Sequence, residues 1–165
     1  EETARQEGLQ MAYMNQERKA QLAPAIKAVL KRYGMKGSIG VRNYSSLVVT
    51  LKEGQLDLIG EANRFNREYA ERTGQRFYPV TGNYQANAYR PDQYADNLIG
   101  RFFRELTAAM RGDLWYDRSD IMTDYFDTAY YLDINVGKWN QPYVCTGRSL
   151  DGTVNGVAEE LYTFN

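Results

Sequence analysis

The sequence predicts an α+β fold: a small, mostly antiparallel sheet of three to four strands with helices packed mainly on one of its faces. Three observations lead there. Apolar residues recur at steps of three and four across residues 24–33, 59–72 and 92–111, the spacing of amphipathic helices. Two adjoining runs, Ser38–Tyr44 and Ser46–Lys52, alternate and are rich in β-branched residues, and Thr128–Val136 alternates again much later in the chain. At 165 residues with 13% aromatics, the chain is long enough to bury one core, and a single domain over 1–165 is expected.

Each element has its own signals. Residues 3–32 carry Leu9, Ala12, Tyr13, Leu22, Ala25, Ile26, Val29 and Leu30 in helical register. Pro24 removes a backbone donor, so a break near Ala23 is expected, separating a peripheral helix over residues 1–20 from a second helix that Gly34 caps. Asn43 to Ser46 supplies turn residues between the first two strands, which read as a hairpin, with Asn43 and Tyr44 doing turn chemistry. Ile59, Ala62, Phe65 and Tyr69 mark the inner face of the next helix, stopped at Thr73–Gly74. Residues 75–94 read as a long loop with a short strand near Gln85–Arg90, and Tyr94, Leu98, Phe102, Leu106 and Ala109 mark the helix after it. Ser119 suits the N-cap of a short helix over 120–127, and residues 138–165 read as an irregular tail.

Composition removes several chemistries. With no histidine, Ser-His-Asp and Cys-His catalysis and imidazole metal sites are unavailable. Cys145 is the sole cysteine, so no intramolecular disulfide or thiolate zinc site can form, which suits a reducing cytosol. Without histidine to activate it, Cys145 reads as an inert thiol. No cofactor or metal is expected, and no stretch has the length of a membrane span or the pattern of a signal peptide. The start at Glu1 fits a processed protein or a domain of a longer one.

Charge is segregated along the chain. Residues 1–112 sum to +5 and residues 113–165 to −6, although the whole is −1. Asp113, Asp117, Asp120, Asp124 and Asp127 recur at steps of four and three, which would align them on one face of a helix. Such a face could hold a divalent cation, mimic nucleic-acid phosphates, or lie solvated or paired with Arg101, Arg104 and Arg111; the last asks least of the chain. Trp139 and Tyr143, in an aromatic, proline-containing turn, are candidates for a protein contact together with the Asp series. Lys27, Lys31, Arg32, Arg42, Arg76 and Arg90, with Tyr78, Tyr84 and Tyr89 interleaved, are the candidates for an alternative nucleic-acid contact, against which stands a pI of 5.6.

Two segments then look familiar together. LAPAIKAVLKRYGMKG leading into GSIGVRNYSSLVVTLKEGQLDL, and the later DRSDIMTDYFDTAYYLDINVGKWNQPY, resemble a phage and plasmid family, the twenty-ninth large-polyvalent-protein-associated domain. The resemblance spans roughly residues 20–143. It implies a mobile-element protein in the host cytoplasm, of undefined activity and with no catalytic residues to carry over. The expectation is therefore a non-enzymatic accessory protein that binds a host protein and counteracts a defence system of the restriction or CRISPR type. The alternatives are a nucleic-acid-binding protein and a virion or assembly component, in which oppositely charged regions of two copies would pair.

Overall fold

A computed structural model describes residues 12–113, 115–119, 122 and 128–147. The element order is α1 (Gln16–Arg32), β1 (Met35–Arg42), β2 (Ser46–Gly54), α2 (Leu58–Thr73), β3 (Tyr84–Ala86), a 3-10 turn (Pro91–Gln93), α3 (Leu98–Arg111), β4 (Tyr131–Val136) and β5 (Val144–Cys145). The fold is α+β.

α1 starts where the Asn15 side chain accepts the Arg18 N–H at 2.8 Å, satisfying one of the helix's orphan donors. It runs through Pro24 without the expected break. Pro24 lies on the exposed side, as does Ala20 one turn earlier, whose carbonyl loses its partner where water can replace it. The opposite side buries Ile26 and Leu30. The described helix also begins later than the periodicity suggests. Tyr13 and Met14 lie ahead of it and donate their N–H groups to Ala129 and Tyr44 carbonyls at 3.0 and 2.8 Å.

β1 and β2 form the expected hairpin, with Arg42 opposite Ser46. Ser45 N–H bonds Arg42 C=O at 3.1 Å, and both residues between them, Asn43 (φ 55) and Tyr44 (φ 53), have positive φ. That is the backbone of a type I′ turn, whose twist matches that of the strands it joins.

The sheet order is β1-β2-β4-β3, with β5 continuing along the β4 side of β2. Among the described residues the sheet has five strands rather than three or four, and the pairing is mixed: β1–β2 and β3–β4 are antiparallel, whereas β2 pairs both β4 and β5 in parallel. Alternation betrays which residues face inward but carries no strand direction. The long crossover through α2 and α3 is what lets β4 return parallel to β2. Val41–Leu47–Leu132 and Ile39–Val49–Ile134–Ala86 line up in rows across the sheet, as do Leu51, Val136 and Tyr84. Against that face α1 and α3 bring Ile26, Leu30, Phe102, Phe103, Leu106 and Met110, all buried. The described helices include none long and apolar enough to cross a membrane.

Two boundaries move. α3 begins at Leu98, capped by the Asn97 side chain, because Pro91–Gln93 closes a separate 3-10 turn ahead of it. The tail contains order: β5 pairs with Glu53 and Gly54, while residues 148–165 lie outside the described residues.

Candidate binding surface

The acidic series does not build a single helix face. Asp113 sits exposed in the turn after Gly112 caps α3, and Asp117 is in an extended bridge opposite Thr128. Its carboxylate accepts the Ser119 N–H at 3.0 Å and the Thr128 hydroxyl at 3.1 Å. Burial alone would raise the Asp117 pKa, but these bonds and the charge of Arg111 outweigh it and hold the group below its usual range. Local structure therefore occupies Asp117. Asp120, Asp124 and Asp127 lie outside the described residues.

Arg104 and Arg111 of α3 also make contacts outside the acidic series. Arg104 donates to the Tyr94 and Ala95 carbonyls and sits 3.9 Å from Asp96. Arg111 lies 4.5 Å from the Trp115 ring centroid and reaches the Ala88 carbonyl.

Tyr143 is a core residue and not a contact residue. Its hydroxyl donates to Leu56 C=O at 2.6 Å, and its N–H bonds Gly82 C=O at 2.9 Å. Both bonds fix the turn that precedes it. Lys138 and Gln141 exchange backbone bonds at 2.9 and 3.1 Å, and Pro142 packs on Gly82, where a β-carbon would come within 3.1 Å of it. At the tip of this braced turn Trp139 is 86% exposed.

The basic candidates belong to separate segments. Lys27 and Lys31 are exposed on α1, where Arg32 pairs with Glu105 at 2.8 Å. Arg42 is bound to Asp133 on the solvent side of the sheet, with Gln85 on the other carboxylate oxygen at 2.8 Å. Arg90 pairs with Asp92 at 3.5 Å. Two of the interleaved tyrosines are structural: Tyr84 donates to Leu58 C=O at 3.3 Å, and the Tyr89 hydroxyl accepts the Leu132 N–H at 2.9 Å, burial raising the pKa of both phenols. Cys145 donates weakly to Gln55 C=O, and burial of its sulfur raises the thiol pKa, so the thiolate is disfavoured.

What the sequence did not reveal is the outer side of α2. Periodicity marks Ile59, Ala62, Phe65 and Tyr69 as inward, and Leu58 starts the same side of the helix one turn before Ala62. Leu58 is buried, yet Phe65 is 50% and Tyr69 42% exposed. The guanidiniums of Arg72, Arg67 and Arg76 lie 5.5, 5.0 and 5.7 Å from the ring centroids of Tyr69, Phe77 and Tyr78, and Tyr78 is 69% exposed.

This aromatic surface and the Trp139 turn hang from one bonded frame. The Asn63 side chain both donates to Val80 C=O at 2.9 Å and accepts Val80 N–H at 2.7 Å, tying α2 to the strand of loop that reaches Gly82 and thus Tyr143. Comparison with family models, curated proteins and solved structures returned no match. The geometry of the chain itself is what bears on its function. Exposed tryptophan, tyrosine and arginine on a braced support form the residue set that dominates protein-protein contacts.

Proposed function

We propose that the protein is a non-enzymatic accessory of a phage or mobile element, working in the host cytoplasm by binding a host protein, with a component of a restriction or CRISPR-type defence as the target. The observation that carries the binding part is Trp139. A large aromatic side chain left 86% exposed loses the free energy of burial unless a partner covers it, and the turn beneath it is held by four backbone bonds and a packed proline. Such a residue enters an interface with little ordering cost. The mobile-element setting is supported by the resemblance of residues 20–143 to the phage and plasmid domain family.

The test is capture from host lysate on the immobilised protein and on a Trp139→Ala variant, with plating of phage on defence-bearing hosts expressing either form. A defence component captured by the parent and lost by the variant, with improved plating only for the parent, is the expected outcome. Capture of no defence component together with unchanged plating removes the reading.

A further inference from the structure

The outer face of α2 is a second surface, apart from Trp139, and its chemistry specifies what would cover it. The stripe Leu58, Ala62, Phe65, Tyr69 runs straight along the helix, but the body of the protein covers only its beginning. The first turns are anchored: the Asp57 side chain caps the helix, and Glu61 is gripped by Arg64 at 2.6 and 2.9 Å and by Asn97 at 2.8 Å. Beyond them the stripe continues into solvent with its two largest rings.

Charge around those rings is unequal. Arg64 is consumed between Glu61 and Glu68, the latter at 2.8 Å. Arg72 and Arg76 make no ion pair among the described residues; Arg72 rests on the Tyr69 ring and Arg76, two residues past the Gly74 cap, on Tyr78, while Arg67 lies on the opposite side of the helix against Phe77. Glu68, held by Arg64, and Glu71 are the exposed carboxylates among them. Stacking leaves the edge of a guanidinium, with its fork of donors, open to a carboxylate. From the spacing of Phe65 and Tyr69, with Arg72 against Tyr69 and Arg76 just past the end of the helix, we infer that this face of α2 docks an acidic amphipathic helix of a partner protein. Apolar residues of the partner would cover the two rings, and its Glu or Asp side chains would meet Arg72 and Arg76. The inference rests on the protein-binding reading and adds to it the partner's chemistry and the place where it sits. Nucleic acid fits less well, because the two rings continue the apolar row of Leu58 and Ala62 at helical spacing, a row that a second helix covers along its length.

The full-length chain can be titrated with three fluorescent probes: a synthetic helical peptide with leucine at three-and-four spacing and glutamate elsewhere, its lysine counterpart, and oligothymidylate. The glutamate peptide should bind, weaken with salt, and lose about tenfold or more in affinity to Phe65→Ser/Tyr69→Ser and to Arg72→Glu/Arg76→Glu. Both double variants alter exposed side chains, so circular dichroism and melting should match the parent and separate lost binding from lost folding. The inference is overturned if the lysine peptide binds as well, if oligothymidylate binds more tightly, or if both folded double variants keep the parent's affinity. Trp139→Ala should leave peptide binding intact. Host-protein capture that persists while the peptide fails would discard this surface and leave the binding reading standing.

Discussion

At Tyr44 a β-branch-free but bulky residue occupies a left-handed position that glycine or asparagine fills more easily, at a cost of roughly 1–2 kcal/mol for an L-residue. Its side chain is exposed and its carbonyl is what Met14 uses, so the ring itself does no packing work. Tyr44→Gly should therefore stabilise the hairpin by about 1 kcal/mol, seen as a higher denaturation midpoint. Tyr143→Phe should do the opposite. It removes the donor to Leu56 C=O in a buried setting and should cost about 1–3 kcal/mol while loosening the turn that carries Trp139. At Asp117 the folded-state pKa is depressed, so its contribution is present above the unfolded pKa and fades as pH falls through the folded one. The stability gap between the parent and Asp117→Asn should accordingly close on acidification, measured by urea melts at stepped pH.

Among the elements, α1 exposes the limit of a rule applied residue by residue. Pro24 costs a helix interior up to about 3 kcal/mol, and burial of Ile26 and Leu30 on the far side outweighs that loss. Pro24→Ala should raise stability by about 1–3 kcal/mol without altering the surface that packs on β1. The hairpin, the Gly74 stop of α2 and the apolar face of β4 were legible because local signals set them: turn residues, a left-handed cap, period-two alternation. Parallel pairing of β2 with β4 was not, since it depends on partners 85 positions apart in the register Ser46 with Tyr131. The candidate surface was half legible for the same reason. Trp139 stood out by its turn, whereas the three-and-four spacing of Phe65 and Tyr69 looks identical whether or not another element arrives to cover them. Tyr143, two residues from the braced turn, went inward because its hydroxyl had a carbonyl to reach.

For the molecule as a whole, the segregated charge is partly cancelled in three dimensions: Arg42 from the basic region lies on Asp133 from the acidic one. The tyrosines act collectively as well. Burial pushes Tyr33, with help from the Glu105 carboxylate, and likewise Tyr94 and Tyr130, from the ordinary value near 10 up to about 12. A phenol with a raised folded-state pKa contributes stability fully present below the unfolded value and lost as pH climbs through the folded one. Cooperative alkaline unfolding between about pH 10 and 12 is expected, with phenolate absorbance rising together with loss of the circular dichroism signal.

β2 is the strand on which three of the other four converge: β1 holds one side, and β4 and β5 share the other. The first neighbour arrives at once through the hairpin, while the second is made only after Tyr131 has been synthesised, 77 residues beyond Gly54. At ribosomal speeds of about 5–20 residues per second, that leaves about four to fifteen seconds in which the edge of SLVVTL is unpaired. An unpaired, apolar, uncharged edge is a template for intermolecular pairing. Stalled or truncated chains lacking β4 should thus be the aggregating species of this protein, and they are where a cell's chaperones would meet it first.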